Sequence, residues 1–548
     1  MTKTLFPALS RRRLLQTSVL AFAVAPFLSA PVVAQAAGAT LRIAFYRDNT
    51  NLVSLDPFQV YWLEHRVVLR NVVESLTDQD QTSGAIIPWL AQSWQISADG
   101  LAYTFHLRQG VTFSDGTPFD AAAVKTAFDS NYAFVKAVPA TFGRTYLEGY
   151  DHAEVVDPQT VRLVLTKRNA GFLQATSTTN LAILAPASYA KTADERARGA
   201  LIGTGPFTLD SYTPEVGLTL RRREDYAWPS AAMANRGRAH LAAIEVRYVP
   251  EASVRNGQFL QGAFDIIWPR DPFSDLDIAF LTSGGGQIVS RALPGPSLNL
   301  FPNTAVGRPL ADPAIRAALQ KAIDRETYAK GVFSADFPAV QGPYDTTTPY
   351  FKPQGDKLGY DPKGAATILD QAGWRRGTDG WRVKDGQRLT LIRPVQTAET
   401  AGDVLLQDQL RQVGIELVLN VLVTGDYYAA VKAGNYDLAS SYMSRADPAV
   451  LQTFLDPRYT NRSALAVNTY PADVLPRAQA LFDAGLAAPS DDERRAAYGR
   501  LQDLLIDENI AFPIYERLWQ AALAPRVQGF NWTAEGFAIL SDIQIAEA

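Results

Sequence analysis

The segment 74–119 limits what this chain can fold into more than any other. It reads ESLTDQDQTSGAIIPWLAQSWQISADGLAYTFHLRQGVTFSDGTPF. Ala102–Leu107 alternates as a half-buried strand does, with Tyr103, Phe105 and Leu107 on one face and Thr104 and His106 on the other. Gln109-Gly110 turns the chain, Val111-Thr112-Phe113 reads as a returning strand, and Ser114-Asp115-Gly116 turns it again. Pro118 and Phe119 then lead into a helical run over 121–134. A helix end, a compact loop and a β-hairpin are therefore expected in close succession. None of these residues has the chemistry of a catalyst.

The rest of the chain reads as α/β. Asp312-Pro313 is an N-cap followed by Pro at the first helical position, and Ile315, Leu319, Ala322 and Ile323 supply an apolar face. Asp361-Pro362 opens another helix, with Ile368 and Leu369 inside and Gly373 closing it. Ser490-Asp491-Asp492-Glu493 reads as a capping box before Tyr498, Leu501, Leu504 and Leu505. From Asp403 to Tyr442 the pattern runs helix, Gly414, strand 415–423, helix, Gly434, strand 436–442, which is α/β alternation. With 548 residues, two or three domains are expected. Pro and Gly are spread throughout, so these domains are interleaved rather than strung out.

The front of the chain carries an address. Ser10-Arg11-Arg12-Arg13-Leu14-Leu15-Gln16 is a twin-arginine pattern, followed by an apolar run from Val19 to Val33 and the small-x-small site Ala34-Gln35-Ala36. Pro26 and Pro31 interrupt the run, which is short for a membrane span. A cleaved export signal over 1–36 is expected. There is no cysteine, so disulfides, thiolate metal sites, cysteine nucleophiles and a lipid-modified N-terminal cysteine are excluded. Removing Lys3 and the three arginines of the leader takes the net charge from −4 to −8. An acidic mature chain is a poor partner for nucleic acid, which calls for a basic stripe.

The order of residues in 74–119 resembles the signature of family 5 of the solute-binding receptors of bacterial ABC importers, the peptide/nickel class. The matching positions are Glu74, Leu76, Pro88-Trp89-Leu90-Ala91, Ser93-Trp94, Ser97, Asp99-Gly100, Tyr103–Phe105, Leu107-Arg108, Gly110-Val111, Phe113 and Asp115–Phe119. Gly203-Thr204-Gly205-Pro206-Phe207, Asp312–Glu326, and Tyr360-Asp361-Pro362 with Ala372-Gly373-Trp374 resemble further landmarks of the same family. The resemblance implies a two-lobed periplasmic binding protein fold of type II, with a hinge and an extra domain on lobe 1. By analogy lobe 1 combines 37–75, 203–295 and 515–548, the extra domain is 76–202, and lobe 2 is 296–514. The hinge would cross near Asn299–Asn303 and Phe512–Tyr515. A soluble, monomeric periplasmic receptor is implied, with a small-molecule or peptide solute and an inner-membrane ABC permease as partners. It would carry no cofactor and no catalytic residue.

Readings from other classes find little support. Gly203–Phe207 lacks the Lys-Ser/Thr of a phosphate loop and the third Gly of a dinucleotide fingerprint, and Pro206 removes a donor. No Gly-x-Ser-x-Gly elbow is present, which weakens the alternative of a secreted hydrolase. His65, His106, His152 and His240 lack ligand spacing, so no metal site is expected. Nickel-binding members carry a histidine directly after an Asp-Pro pair; here Asp447-Pro448 precedes Ala449.

The resemblance also nominates binding residues. Tyr46, Tyr61, Trp62, Tyr146, Trp268 and Tyr442 fall in segments that line the family's cleft, and Arg144 falls where chelate-binding members use basic contacts. Peptide receptors of the family place an Asp for the α-ammonium at a position that falls here on Ser444 or Arg445. An arginine facing the cleft would repel an ammonium and suit a carboxylate or phosphate. Asp447 is the alternative amine partner. The reading is a receptor for a small carboxylate-bearing solute, opine-like or chelator-like, or a modified peptide; an ordinary dipeptide or oligopeptide receptor is the alternative.

Overall fold

The computed structural model describes residues 38–48, 55–60, 62–138, 141–459 and 465–546. The export signal expected over 1–36 and the candidate Tyr61 lie outside the described residues.

A seven-stranded mixed sheet forms the first lobe. Its order is Gln287–Ala292, Leu518–Leu523, Ile266–Trp268, Thr40–Phe45, Ala243–Tyr248, Gly217–Arg222 and Phe207–Thr213. Thr40–Phe45 lies at the centre and is parallel to both neighbours. Leu41, Ile43 and Phe45 pack into one core; on the other face Ala44 packs into a second core and Arg42 pairs with the buried Asp265. Such two-sided burial suits a central strand.

The second lobe holds the antiparallel sheet Leu438–Ser440, Leu298–Pro302, Phe512–Tyr515 and the parallel pair Thr390–Gln396 and Glu416–Leu422. Helices Pro313–Ala322, Pro362–Gln371 and Ala401–Gln412 bury Leu319, Leu369 and Leu410 against these strands. The expected caps are present. Asp312 Oδ1 accepts from Ala314 N at 2.9 Å and Asp361 Oδ1 from Gly364 N at 2.7 Å. Ser490 Oγ accepts from Glu493 N at 3.3 Å, so Ser490 is the N-cap, without the reciprocal Glu493 bond of the expected capping box. The chain passes from Gln287–Ala292 of the first sheet to Leu298–Pro302 of the second, and returns from Phe512–Tyr515 to Leu518–Leu523. Those two crossing strands pair with each other, antiparallel.

A third layer is the four-stranded antiparallel sheet Ala91–Ile96, Ala102–Leu107, Thr160–Leu165, Tyr150–Asp157, covered by helix Ala121–Ala137. Tyr103, Phe105 and Leu107 are buried, as their alternation predicts. The hairpin partner differs from the expected one. Ala102–Leu107 pairs with Ala91–Ile96 on one edge and Thr160–Leu165 on the other, so 111–113 has no edge left to join. Val111 and Phe113 instead bury their side chains in the core beneath the helix, and Thr112 makes a single bridge to Pro118.

The signature also joins this layer to the first lobe. Glu74, fully buried, accepts from Tyr226 Oη at 2.6 Å, Thr204 Oγ1 at 2.8 Å and Trp228 Nε1 at 2.9 Å. Its carboxyl therefore fastens the Gly203–Phe207 turn and the 226–228 loop to the chain before the hairpin. Burial outweighs these three donors and pushes Glu74 up to about 7.

Candidate functional site

Three parts of the chain meet around one small gap of about 10 Å³, part of it open to solvent. Lobe 1 contributes Trp62, Leu63 and Arg66, at the start of helix Leu63–Leu69, and Arg270, just after strand Ile266–Trp268. The third layer contributes Phe142, from the 3-10 turn Phe142–Leu147. Lobe 2 contributes Tyr442, Met443 and Ser444, which follow strand Leu438–Ser440. A pocket where lobes meet, lined by aromatic faces and a few polar groups, is the default place for a small ligand.

Arginines organise this junction. Arg66 donates to Ser444 O of the facing lobe at 3.1 Å and to Glu535 Oε1 at 2.7 Å. Burial would lower its pKa, but Glu535 beside it holds the guanidinium above its ordinary range. Arg270 donates to the Tyr442 phenol at 2.8 Å and lies over the Trp62 ring, 4.2 Å from its centroid. Arg517 Nη1 donates to Ser444 Oγ at 3.2 Å, and its Nε donates to Asp345 Oδ2 at 3.1 Å. Burial pushes Asp345 upward against the Arg517 charge, yet it also accepts the Arg517 backbone N–H at 2.9 Å. Glu64 differs from these acids. It is fully buried, neither oxygen accepts a hydrogen bond, and Arg270 Nη1 stands 3.9 Å away. Burial raises its pKa, with Arg270 opposing.

The residues nominated from the sequence fall into three groups. Trp62, Tyr442 and Ser444 line the space. Tyr146, Arg445 and Asp447 lie beside it in a buried layer that ties lobe 2 to the third layer. Arg445 Nε donates to Gln174 Oε1 at 2.9 Å, its Nη2 donates to Gly171 O at 3.4 Å, and its guanidinium lies 4.7 Å from the centroid of the buried Tyr146 ring. Asp447 takes two 2.9 Å bonds from Arg494 Nη2 and caps the turn Pro448–Leu451 through Ala449 N. Burial would raise Asp447, but Arg494 and Arg445 outweigh it and hold it below the usual carboxylate range. The others stand apart from the lining. Trp268 is fully buried within the first lobe, edge-on to Trp519 and Trp532. Tyr46 is half-buried at the end of Thr40–Phe45, and Arg144 is half-buried on the Phe142–Leu147 turn.

Leu63, Arg66, Phe142, Arg270 and Met443 line the space without having been singled out from the sequence. A signal existed for Arg66. It is a cation in the buried helix Leu63–Leu69, a place where only a paired charge is tolerated. Arg270 carries no such mark. Among the described residues, no group of three or more His, Asp or Glu is arranged to hold a metal ion. No described helix is long and apolar enough to cross a membrane.

The chain is similar to known proteins along most of its length. The family model described as bacterial extracellular solute-binding proteins, family 5, middle, matches residues 85–464. Heme-binding protein A of Haemophilus influenzae is 26% identical over 499 residues, 85% of this chain and 86% of that protein. The glutathione-binding protein of Escherichia coli K12 is 26% identical over 390 residues, 70% of each. Among solved structures, NikA from Brucella suis in complex with Fe(III)-EDTA superposes with a TM-score of 0.80 at 25% identity, over 92% of this chain and 100% of that one. DppA from Helicobacter pylori, in complex with the peptide STSA, shares the fold at a TM-score of 0.73 and 23% identity, over 93% and 98%.

Proposed function

Because this chain belongs to family 5 of the bacterial extracellular solute-binding proteins, the solute receptors of ABC importers, we propose that it captures a small carboxylate-bearing solute between its lobes and delivers it to a permease from the periplasm. Relatives carry names for heme, glutathione and peptides, and NikA was solved with a metal chelate. The names alone therefore leave the solute open. One observation carries the choice: among the described residues, the lining of the interlobe space includes two arginines and no carboxylate. An α-ammonium would find no counter-charge on that wall, whereas a carboxylate would find charge-assisted donors. Asp447, the alternative partner for an amine, is held by Arg494.

The receptor acts by hinge closure about the two crossing strands, the solute favouring the closed form through contacts made only there. It acts as a monomer after removal of the leader, and binds its solute without converting it. Mass spectrometry of the solute released by denaturing protein purified from its native periplasm, followed by calorimetry with that solute and with a dipeptide panel, tests the reading. A carboxylate-bearing compound that is recovered unchanged after long incubation with the protein supports it. Sub-micromolar binding of ordinary dipeptides restores the peptide-receptor alternative, and sustained turnover rejects both.

A further inference from the structure

The chain crosses between the lobes twice, through 293–297 and through 516–517. Segment 343–348 clasps both crossings: Asp345 N donates to Gly295 O at 2.9 Å and Thr346 N to Glu516 Oε1 at 2.7 Å. Arg517 stands in the second crossing, and one carboxylate fixes both its backbone and its side chain. Asp345 Oδ1 accepts from Arg517 N at 2.9 Å, and Asp345 Oδ2 accepts from Arg517 Nε at 3.1 Å. The same Nε donates to Pro296 O of the first crossing at 2.8 Å. A displaced guanidinium therefore pulls on the backbone of both crossings.

The far end of that guanidinium reaches the wall of the interlobe space. Nη1 donates to Ser444 Oγ at 3.2 Å, and Cζ lies 5.0 Å from the centroid of the Tyr442 ring, as a cation–π partner. A backbone tie runs beside it, from Arg445 N to Pro294 O at 3.0 Å. Gly295 lets these two stretches touch: its φ is +128°, and a Cβ there would stand 2.4 Å from Met443 O. Nη2 of Arg517 is buried without an acceptor, a cost of this setting of the guanidinium that a second setting need not carry.

We propose that Arg517 is a positioning residue that couples the wall to the hinge: a solute that moves Ser444 or Tyr442 resets the Arg517 guanidinium, and with it the angle between the lobes. Arginine suits this task, because its rigid fork holds a carboxylate, a carbonyl and a hydroxyl at once, whereas lysine is a compact point charge. This deepens the reading of the protein as a hinge-closing receptor and rests on it.

The chain contains no cysteine, so two introduced cysteines take spin labels without competition. Leu276→Cys, on helix Asp275–Ser283 of the first lobe, and Val423→Cys, after strand Glu416–Leu422 of the second, are 84% and 66% exposed. Pulsed electron paramagnetic resonance then reads the distribution of lobe separations in the purified chain, with no solute added. Ser444→Ala removes the hydroxyl at the end of the fork and should lower the ratio of closed to open molecules about threefold, the size of a modest coupling between residues in contact. In an Arg517→Lys background the same change should alter the ratio by less than about 1.5-fold, because the link it acts through is gone. A residue with a structural role only would lower the unfolding temperature in Arg517→Lys and leave the response to Ser444→Ala intact. The proposal is overturned if Ser444→Ala shifts the ratio equally in both backgrounds, or does not lower it in the otherwise wild-type chain. Arg517→Lys keeps a cation beside Asp345; should it still fail to fold, amide hydrogen exchange in Ser444→Ala alone decides. Faster exchange at 294–297 and 516–518 than in the wild type supports the coupling, and unchanged exchange overturns it. The two readings fail separately. Sustained turnover of a solute rejects the receptor whatever the label distances show, whereas equal shifts in both backgrounds, in a protein that still binds its native solute, remove the coupling alone.

Discussion

At the scale of single residues, burial decides how charges behave in this protein. Glu74 has three neutral donors and no cation in hydrogen-bond contact, and burial wins, leaving its carboxyl at about 7 against an ordinary 4.5. A carboxyl raised in the folded state stabilises that state most below its ordinary pKa, and the contribution disappears as pH rises through about 7. The shift corresponds to about 3 kcal/mol. Glu74→Gln removes the titration, so wild type should lose roughly that much stability relative to the variant between pH 4.5 and 7.5. Denaturant melts of both proteins across that range measure it; a pH-independent difference would refute the assignment. Arg445 behaves differently, because its partners lie across a joint. Gln174 Oε1, Gly171 O and the Tyr146 ring belong to the third layer, while Arg445 belongs to lobe 2. Arg445→Ala should therefore weaken the closed form for every solute alike, by about tenfold or more, since a hydrogen bond from a charged group contributes about 1.5–3 kcal/mol. Calorimetry with a carboxylate and its amide checks it: a loss confined to one of the two would refute this role of Arg445.

At the scale of elements, turns and edges do more than propensity to set the structure. Gly203 and Gly205 bring the 203–207 turn against the backbone of 71–72, where Gly205 N donates to Val72 O at 3.0 Å. A Cβ on Gly203 would stand 2.2 Å from Val72 O, a backbone atom that cannot swing away. Gly203→Ala should cost about 1–3 kcal/mol, as overpacking does. Gly237→Ala meets nothing within 4 Å and should be close to neutral. Thermal unfolding of the pair tests the contrast, and an equal effect of both would show that the turn yields. The 111–113 segment makes the same point about edges. Its residues are suited to a strand, yet both edges of Ala102–Leu107 are occupied by 91–96 and 160–165. The apolar side chains of Val111 and Phe113 still find a core, but without a ladder.

At the scale of the whole molecule, the twin-arginine motif at 10–16 predicts export of the chain through a pathway whose receptor reads the arginine pair, whether Arg11-Arg12 or Arg12-Arg13. Replacing Arg12 and Arg13 by lysine keeps the charge and removes the pair. Unprocessed protein should then accumulate in the cytoplasm on immunoblots of fractionated cells, and normal periplasmic levels would assign it to the general secretory route. The family and the two-lobed α/β class were legible in the sequence, because they rest on local rules and on the order of residues. Alternation in 102–107 reports a half-buried strand, Asp before Pro at 312 and 361 reports a helix start, and a long ordered signature reports shared ancestry. The wall of the interlobe space was only partly legible. Trp62, Tyr442 and Ser444 line it, but Trp268, of the same residue type, stands in the first lobe's core. The sequence by itself determined most of the elements and the family they belong to. Only the tertiary structure decided that Arg270 meets Tyr442, 172 residues away, and that Arg445 turns to Gln174, 271 residues away. Side chains so distant in sequence are brought together by strand order and hinge crossings, and no local periodicity records that juxtaposition.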